Sequence, residues 1–106
     1  MLVIKKNKVL FIDVDNTLII WESGDKWHPH KAHIALLEQF KLQGHGVVVW
    51  SAGGWKWAAR AVRMLNIEHL VDYVINKPDW WADDLSSNSI LTQETKIYLD
   101  DAEQIE

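Results

Sequence analysis

The stretch of residues 9–18 constrains this chain more than any other part of its sequence. Four apolar residues run directly into Asp13, and a second carboxylate, Asp15, follows two positions later. A short, continuous apolar run of this kind is typical of a strand that is buried on both faces. Asn16 favours a turn, so we expect the strand to end at Asp13 or Val14.

Two carboxylates at the end of an apolar strand are costly to desolvate unless a cation or hydrogen-bond donors lie nearby. Such a pair could hold a metal ion, carry out proton chemistry, or cap a turn in solvent. The residues of this stretch alone leave all three interpretations open.

Length and composition indicate one folded unit. The 106 residues suffice for a single domain over residues 1–106 and not for two. A net charge of −4 argues weakly against a protein that coats nucleic acid, although it does not exclude an enzyme that acts on a phosphorylated end. Cysteine is absent, which rules out disulfides and thiolate metal ligands.

We expect a cytoplasmic protein with no membrane partner. No apolar run approaches the roughly 20 residues that a membrane span requires. The first residues place apolar side chains before charged ones and lack a small-residue cleavage site, so they do not resemble a secretory signal.

The rest of the chain alternates strand and helix patterns, with a turn-rich segment after the first strand. We expect a flap over residues 19–28, further strands over residues 47–50, 70–75 and 96–99, and helices over residues 29–43 and 55–65. Strands that alternate with helices pair in parallel through right-handed crossovers. The sequence therefore predicts an α/β, Rossmann-like open parallel sheet of about four strands with helices on both faces.

Polar groups follow all four predicted strands. In such sheets ligands bind outside the carboxyl ends of the strands. The residues at these ends are Asp13 with Asp15, then Ser51, Lys77, and Asp100 with Asp101.

Carboxylates that converge at one edge suit Mg²⁺, and a hydroxyl and an ammonium group opposite the metal could hold phosphate oxygens. Gly53 and Gly54 would let backbone N–H groups approach that phosphate. An aspartate placed in line can act as a nucleophile, and a second carboxylate can move the leaving-group proton.

The chain resembles the phosphatases of the haloacid dehalogenase (HAD) superfamily. That family's first motif, Asp-x-Asp-x-Thr after a strand, is matched by residues 13–17, and its strand-terminal Ser or Thr by Ser51. Its lysine is matched by Lys77, which precedes a proline, and its acidic pair by Asp100 and Asp101. The motifs occur in the family's order and span nearly the whole chain.

The resemblance implies a role for each matched residue. Asp13 would be the nucleophile and a Mg²⁺ ligand. Asp15 would be the general acid and base, and its backbone carbonyl would also contact the metal. Thr17 would orient Asp15, and Lys77 would neutralise Asp13 and the phosphoryl group. The expected phosphate- and substrate-binding residues are Thr17, Ser51, Ala52, Gly53 and Lys77, and the remaining metal ligands are Asp100 and Asp101.

Only a flap and one helix fit between the first two motifs, so the chain resembles members of the family without a cap domain. Such members tend to act on large or extended substrates, and the resemblance implies that the substrate here would be a phosphorylated molecule, small or extended. Trp21 and Trp27 of the flap could stack on a base, or pack the flap against the body of the protein; a nucleotide or nucleic-acid end is one candidate. The narrow sheet could form a homodimer through its exposed edge or through a Trp-rich surface.

Two other functions remain open. A receiver-like signalling module also uses Asp, Ser or Thr, Lys and Mg²⁺, but its phosphorylated Asp would end a middle strand. A binding module could retain the site and lose turnover.

Overall fold

The computed structural model describes residues 7–80 and residue 82. The fourth strand predicted over residues 96–99 lies outside this part of the chain. None of the helices in the described part has the length and apolar character needed to cross a membrane. The elements in chain order are β1 (Val9–Asp13), β2 (Ile19–Trp21), β3 (Trp27–Pro29), α1 (Lys31–Leu42), β4 (Gly46–Ser51), α2 (Trp55–Met64), a 3₁₀ turn (Glu68–Leu70) and β5 (Tyr73–Asn76).

Three parallel strands form the main sheet in the order β1-β4-β5, while β2 and β3 pair as a separate antiparallel hairpin. The predicted α/β class, the parallel pairing and the flap after the first strand are therefore confirmed. The first strand ends at Asp13, one of the two predicted positions, and the flap ends at Pro29, one residue beyond the predicted range.

Both helices pack against the same face of this sheet. Each crossover moves the chain one strand further in the same direction, and right-handed connections then place both helices on one side. Within the residues that the structure describes, helices thus cover one face instead of the two predicted. The strand and helix side chains that meet in the core are Leu10, Ile12, Val47, Val49, Leu36, Leu37, Phe40, Ala58, Ala61 and Val62.

The opposite face of the sheet is apolar and open to solvent in the described part of the chain. Successive strand residues point to opposite faces, and on this side Val9, Phe11, Tyr73 and Ile75 are all exposed. The apolar character of both faces explains why the sequence pattern predicted strands buried on both sides.

Helix α1 begins at Lys31, so the prediction that Pro29 opens the helix was wrong. Pro29 instead ends β3, a position at a strand edge that tolerates a residue without an N–H group. His30 is the N-cap residue, and its Nδ1 accepts a hydrogen bond from the His33 N–H at 3.2 Å. Gly44 has a φ of +82° just after the helix, in the left-handed region that favours glycine at helix ends.

The third parallel strand, β5, begins at Tyr73, whereas the predicted strand began at residue 70. Leu70 is buried in the core, but it belongs to the 3₁₀ turn that precedes the strand. A short apolar run does not distinguish a buried helical turn from a buried strand. The predicted range therefore joined the end of one element to the start of the next.

Asp72 links α1 to the sheet. Its carboxylate accepts hydrogen bonds from Lys41 Nζ at 2.8 and 2.9 Å, and from the Val47 N–H at 2.8 Å. The Lys41 hydrogen bond, followed by the one from Val47, lowers the pKa of Asp72 below its ordinary value, while partial burial opposes this shift.

We expect acid to remove the contribution of Asp72 to stability. Because its pKa is lower in the folded protein than the unfolded value of about 3.9, the carboxylate stabilises the fold above that pH. This stabilisation is lost as the pH falls through the folded-state pKa. Asp72→Asn should lower the free energy of unfolding by at most about 1 kcal/mol near neutral pH, since the ion pair is partly exposed and screened by solvent.

Urea unfolding near neutral pH and at about pH 3 measures this effect. Asp79→Asn removes an exposed carboxylate outside the contact and serves as the control. If Asp72→Asn destabilises the protein equally at both pH values, the ionised carboxylate is not the source of the stabilisation.

Candidate functional site

The loop after β1 brings Asp13 and Asp15 to the same side of the chain. Val14, which lies between them, is fully buried, whereas the two aspartates are half-buried. Alternate residues of an extended segment point to opposite sides, so the burial of Val14 directs both carboxylates away from the core. Both acids therefore lie at the carboxyl edge of β1.

The carbonyl of Val14 organises this loop. It accepts hydrogen bonds from the backbone N–H groups of Thr17, Leu18 and Ile19 at 3.2, 2.9 and 3.0 Å. Asn16 has a φ of +59°, in the left-handed region that Asn adopts more readily than most residues. The side chain of Leu18 is fully buried. The loop is thus held by its own backbone and by the core.

The parallel register aligns the ends of the three strands. Asp13 of β1 lies opposite Trp50 of β4, and the next residue of β4, Ser51, lies opposite Asn76 of β5. The N–H of Lys77 donates to the Ser51 carbonyl at 3.0 Å and extends this pairing. Since neighbouring strands are about 4.8 Å apart, the predicted site residues of all three strands share one edge.

Ser51 is the buried centre of the turn between β4 and α2. Its Oγ accepts from the Gly53 N–H at 3.0 Å, and its carbonyl accepts from the Gly54 N–H at 3.1 Å. A Cβ added at Gly53 would lie 3.2 Å from Cδ1 of Trp57 and 3.3 Å from Ser51 Oγ. The turn is therefore tightly packed, with Ala52 and Gly53 exposed at its tip.

Asn76 fastens β5 to the beginning of α2, a contact that the sequence analysis missed. Gly54 is the N-cap of this helix and has no side chain that could accept a hydrogen bond. Asn76 Oδ1 accepts instead from the Trp55 N–H at 2.6 Å. One of the N–H groups that a helix leaves unpaired in its first turn is thereby satisfied from the neighbouring strand.

Two tryptophans hold Asp15, which the sequence analysis also missed. The indole N–H of Trp21 donates to Oδ1 at 2.9 Å, and that of Trp57 donates to Oδ2 at 3.2 Å. The two rings stack with centroids 6.1 Å apart and planes 24° apart. Trp57 lies 42 positions after Asp15, so no local pattern could have indicated this contact.

The two tryptophans of the flap differ in environment. Trp27 packs against the hydrophobic core, which agrees with the expectation that it packs the flap against the body of the protein. Trp21 instead contacts Asp15. Near the turn after β4, Trp55 is exposed. Trp80 is also exposed, and Trp81 lies outside the described residues.

Thr17 joins the loop to α1 through its backbone. Its carbonyl accepts a hydrogen bond from Nδ1 of His33, which must carry the proton because a carbonyl oxygen can only accept. The ring of His33 stacks on that of His30. The expected orientation of Asp15 by Thr17 stays a prediction, since the hydrogen bonds found on that carboxylate come from indoles.

Asp13 is half-buried, and its carboxylate has no hydrogen-bond or ion-pair partner within residues 7–80 and 82. Such a carboxylate favours a bound cation or hydrogen-bond donors. Together with Asp15 it offers only oxygen ligands, the type that Mg²⁺ prefers. The same residues contain no group of three or more metal-binding side chains, and the expected ligands Asp100 and Asp101 lie beyond them. The oxygen atoms of Asp13 and Asp15 are thus of the ligand type that Mg²⁺ binds.

The fold and the site define a small α/β protein with acidic, hydroxyl and amino groups at one edge of a parallel sheet. Neither a protein-family model, nor a curated protein, nor a solved structure matches the chain. The resemblance to the HAD superfamily therefore depends on the sequence motifs and on where the described residues lie.

Proposed function

We propose that this chain is a Mg²⁺-dependent phosphatase of the HAD type, which hydrolyses a phosphomonoester through an aspartyl-phosphate on Asp13. The observation that supports this best is the meeting of three strand ends at one edge. There, the half-buried Asp13, which has no partner among the described residues, lies at the edge that also carries Ser51 and Lys77.

In the first step an oxygen of Asp13 attacks phosphorus in line with the bond to the leaving group. That P–O bond breaks, its electron pair goes to the leaving oxygen, and Asp15 supplies the proton. Lys77 and the hydroxyl of Ser51 bind the phosphoryl oxygens. The N–H groups of Gly53 and Gly54 are already bonded to Ser51. In this turn the backbone N–H of the exposed Ala52 would therefore donate to the same oxygens.

In the second step water attacks the phosphorus of the aspartyl-phosphate. The Asp15 carboxylate accepts a proton from that water, and the bond between phosphorus and the Asp13 oxygen breaks to release phosphate. Asp13 and Asp15, with Asp100 and Asp101 as the further ligands, would hold Mg²⁺, which when bound neutralises the negative charge of the phosphoryl group.

A binding module without turnover is the second candidate. The observation that favours it is that both oxygens of Asp15 already accept hydrogen bonds from indoles. A receiver-like module has less support, because the middle strand of the described sheet ends in Ser51 and not in an aspartate.

Hydrolysis of p-nitrophenyl phosphate tests these functions. For a phosphatase we expect steady turnover with Mg²⁺, and a loss of about a hundredfold or more with EDTA, because the ion contributes several kcal/mol of charge stabilisation. Adding excess Mg²⁺ after EDTA should restore the rate. A stable phosphoprotein would instead support the signalling module, and a protein that binds phosphate without turnover would support the binding module.

We also propose the finer features of the fold and of the protein's surroundings. A fourth strand over residues 96–99 would bring Asp100 and Asp101 to the same edge, and an additional helix would cover the open face of the sheet. Association through the sheet edge or the Trp-rich surface would give a homodimer, which sedimentation measurements can detect. Absence of cysteine is in keeping with a cytoplasmic location.

A further inference from the structure

Trp21 and Trp57 form a stacked pair of indole rings beside the candidate site, here called the indole shelf. We propose that this shelf binds the nucleobase of the substrate, so that the phosphomonoester is a nucleotide whose base stacks on Trp21. The proposal deepens the phosphatase function and rests on it. It follows from the fixed geometry of the two rings, their position next to the phosphate turn and the exposure of Trp21.

The shelf is fixed in place before any ligand binds. Each indole N–H group is bonded to a different oxygen of Asp15, at 2.9 Å for Trp21 and 3.2 Å for Trp57. The rings also stack on each other at 6.1 Å. An aromatic ring held by a hydrogen bond and by a stacking contact in this way loses little conformational freedom when a ligand stacks on it.

The shelf adjoins the turn proposed to bind phosphate. Cδ1 of Trp57 and Oγ of Ser51 both lie within 3.3 Å of the point that a Cβ on Gly53 would occupy. The edge of the Trp57 ring and the hydroxyl of Ser51 therefore lie next to the same space beside Gly53. A base on the shelf and a phosphate at the turn would be parts of one short molecule.

Trp21 leaves a ring surface available for this contact. The residue is 37% exposed, although the ring of Trp57 stacks against it and Asp15 binds its N–H group. Because both indole N–H groups are already used, the shelf offers a ring face and no free donor. A planar base can stack on such a face whatever its hydrogen-bonding pattern.

The test compares two ligands that differ only by a base, adenosine 5′-monophosphate and ribose 5-phosphate. Their dissociation constants are measured by calorimetry with Mg²⁺ on Asp13→Asn, which prevents turnover. We expect adenosine monophosphate to bind roughly five- to a hundredfold more tightly, the range found for stacking of one base on an aromatic side chain.

Two substitutions in this background separate stacking from the positioning of Asp15. Trp21→Phe keeps a ring and loses the donor, so it should retain most of the preference for the base. Trp21→Gln keeps a donor and loses the ring, so its two dissociation constants should become equal within about twofold. Tyr73→Ala removes an exposed aromatic ring from the open face of the sheet and should leave the ratio unchanged.

The failure of this inference differs from the failure of the proposed function. If ribose 5-phosphate binds as tightly as adenosine monophosphate to the protein with Trp21 intact, the shelf does not bind a base, although the phosphatase proposal stands. The same conclusion follows if Trp21→Gln keeps the preference. If neither ligand binds but the unsubstituted protein hydrolyses p-nitrophenyl phosphate with Mg²⁺, only the shelf proposal fails. If that hydrolysis is absent as well, the phosphatase proposal itself is wrong, and the shelf proposal fails with it.

A further arm distinguishes the two sources of a base. A 5′-phosphorylated oligoadenylate presents the same terminal nucleotide at the end of a strand. Tighter binding of the oligonucleotide than of the mononucleotide would assign the shelf to strand ends. Equal or weaker binding would assign it to free nucleotides, which a net charge of −4 favours.

Discussion

Asp13→Asn is expected to abolish phosphatase turnover while leaving the protein folded. The amide is a poor nucleophile and cannot form the acyl-phosphate bond, so kcat should fall by roughly 10⁴-fold or more, the scale seen when a group essential to covalent catalysis is removed. Stability should be unchanged or slightly higher, because Asp13 is half-buried and its charge has no partner in the described part of the chain. Steady-state kinetics with p-nitrophenyl phosphate and a thermal melt measure the two effects.

Asp25→Asn is the matched control for this substitution. It makes the same exchange at an exposed carboxylate in the flap turn, and it should leave kcat within about twofold. Acid quenching of the unsubstituted protein during turnover should trap one phosphoryl group per chain, which intact-mass measurement detects and which Asp13→Asn should lack. Turnover that persists in Asp13→Asn would remove Asp13 from the role of nucleophile.

The sequence was informative where local pattern and strand topology act together. The apolar run before Asp13 predicted a strand and its end to within one residue, and the alternation of elements predicted parallel pairing. From these two predictions it follows that the carboxyl ends of the parallel strands meet at one edge of the sheet. Ser51 and Lys77, which are unremarkable residues alone, could be placed at the same sheet edge as Asp13 on that basis.

The contacts that complete the site could not be predicted in this way. The partner of Asp15 on α2 lies 42 positions away, and the cap of α2 comes from Asn76 on another strand. Both depend on how two elements pack and on the rotamers of their side chains, which periodicity does not determine. The motif indicated Thr17 as the residue that orients Asp15, whereas the hydrogen bonds seen on that carboxylate come from Trp21 and Trp57.

Errors in element boundaries have a related origin. Pro29 suits the first turn of a helix and the end of an edge strand equally well, and pairing across the flap selected the strand. A buried apolar residue such as Leu70 suits a helical turn as well as a strand, and here it lies in a 3₁₀ turn. In each place local preference was ambiguous, and tertiary packing decided between the alternatives.

The tryptophans give the flap a part in the site that the motifs alone did not suggest. Trp27 packs against the core on one strand of the hairpin, while Trp21, its neighbour across the hairpin, binds Asp15. The flap is therefore fixed to the hydrophobic core by Trp27 and to the carboxylate of Asp15 by Trp21. A change in the flap should consequently alter the position of Asp15 and not only the access to it.

The largest effect on stability is expected for Leu18→Ala. Leu18 is fully buried where the Asp13–Asp15 loop meets the flap, and its carbonyl accepts a hydrogen bond from the His30 N–H at 2.9 Å. Removing a buried leucine side chain leaves a cavity and typically costs about 2–5 kcal/mol. For a protein of this size, that loss is a large fraction of the total free energy of unfolding.

Leu42→Ala makes the same exchange at the end of α1, where the side chain is 82% exposed, and should cost less than about 0.5 kcal/mol. Urea unfolding of the two variants beside the parent protein measures the difference, provided that the m-value is unchanged. Because Leu18 anchors the loop that carries the acids, its replacement should also lower turnover at temperatures where the variant remains folded. Equal costs for the two leucines would mean that the loop is not packed into the core, and the placement of Asp13 and Asp15 at the sheet edge would lose its structural basis.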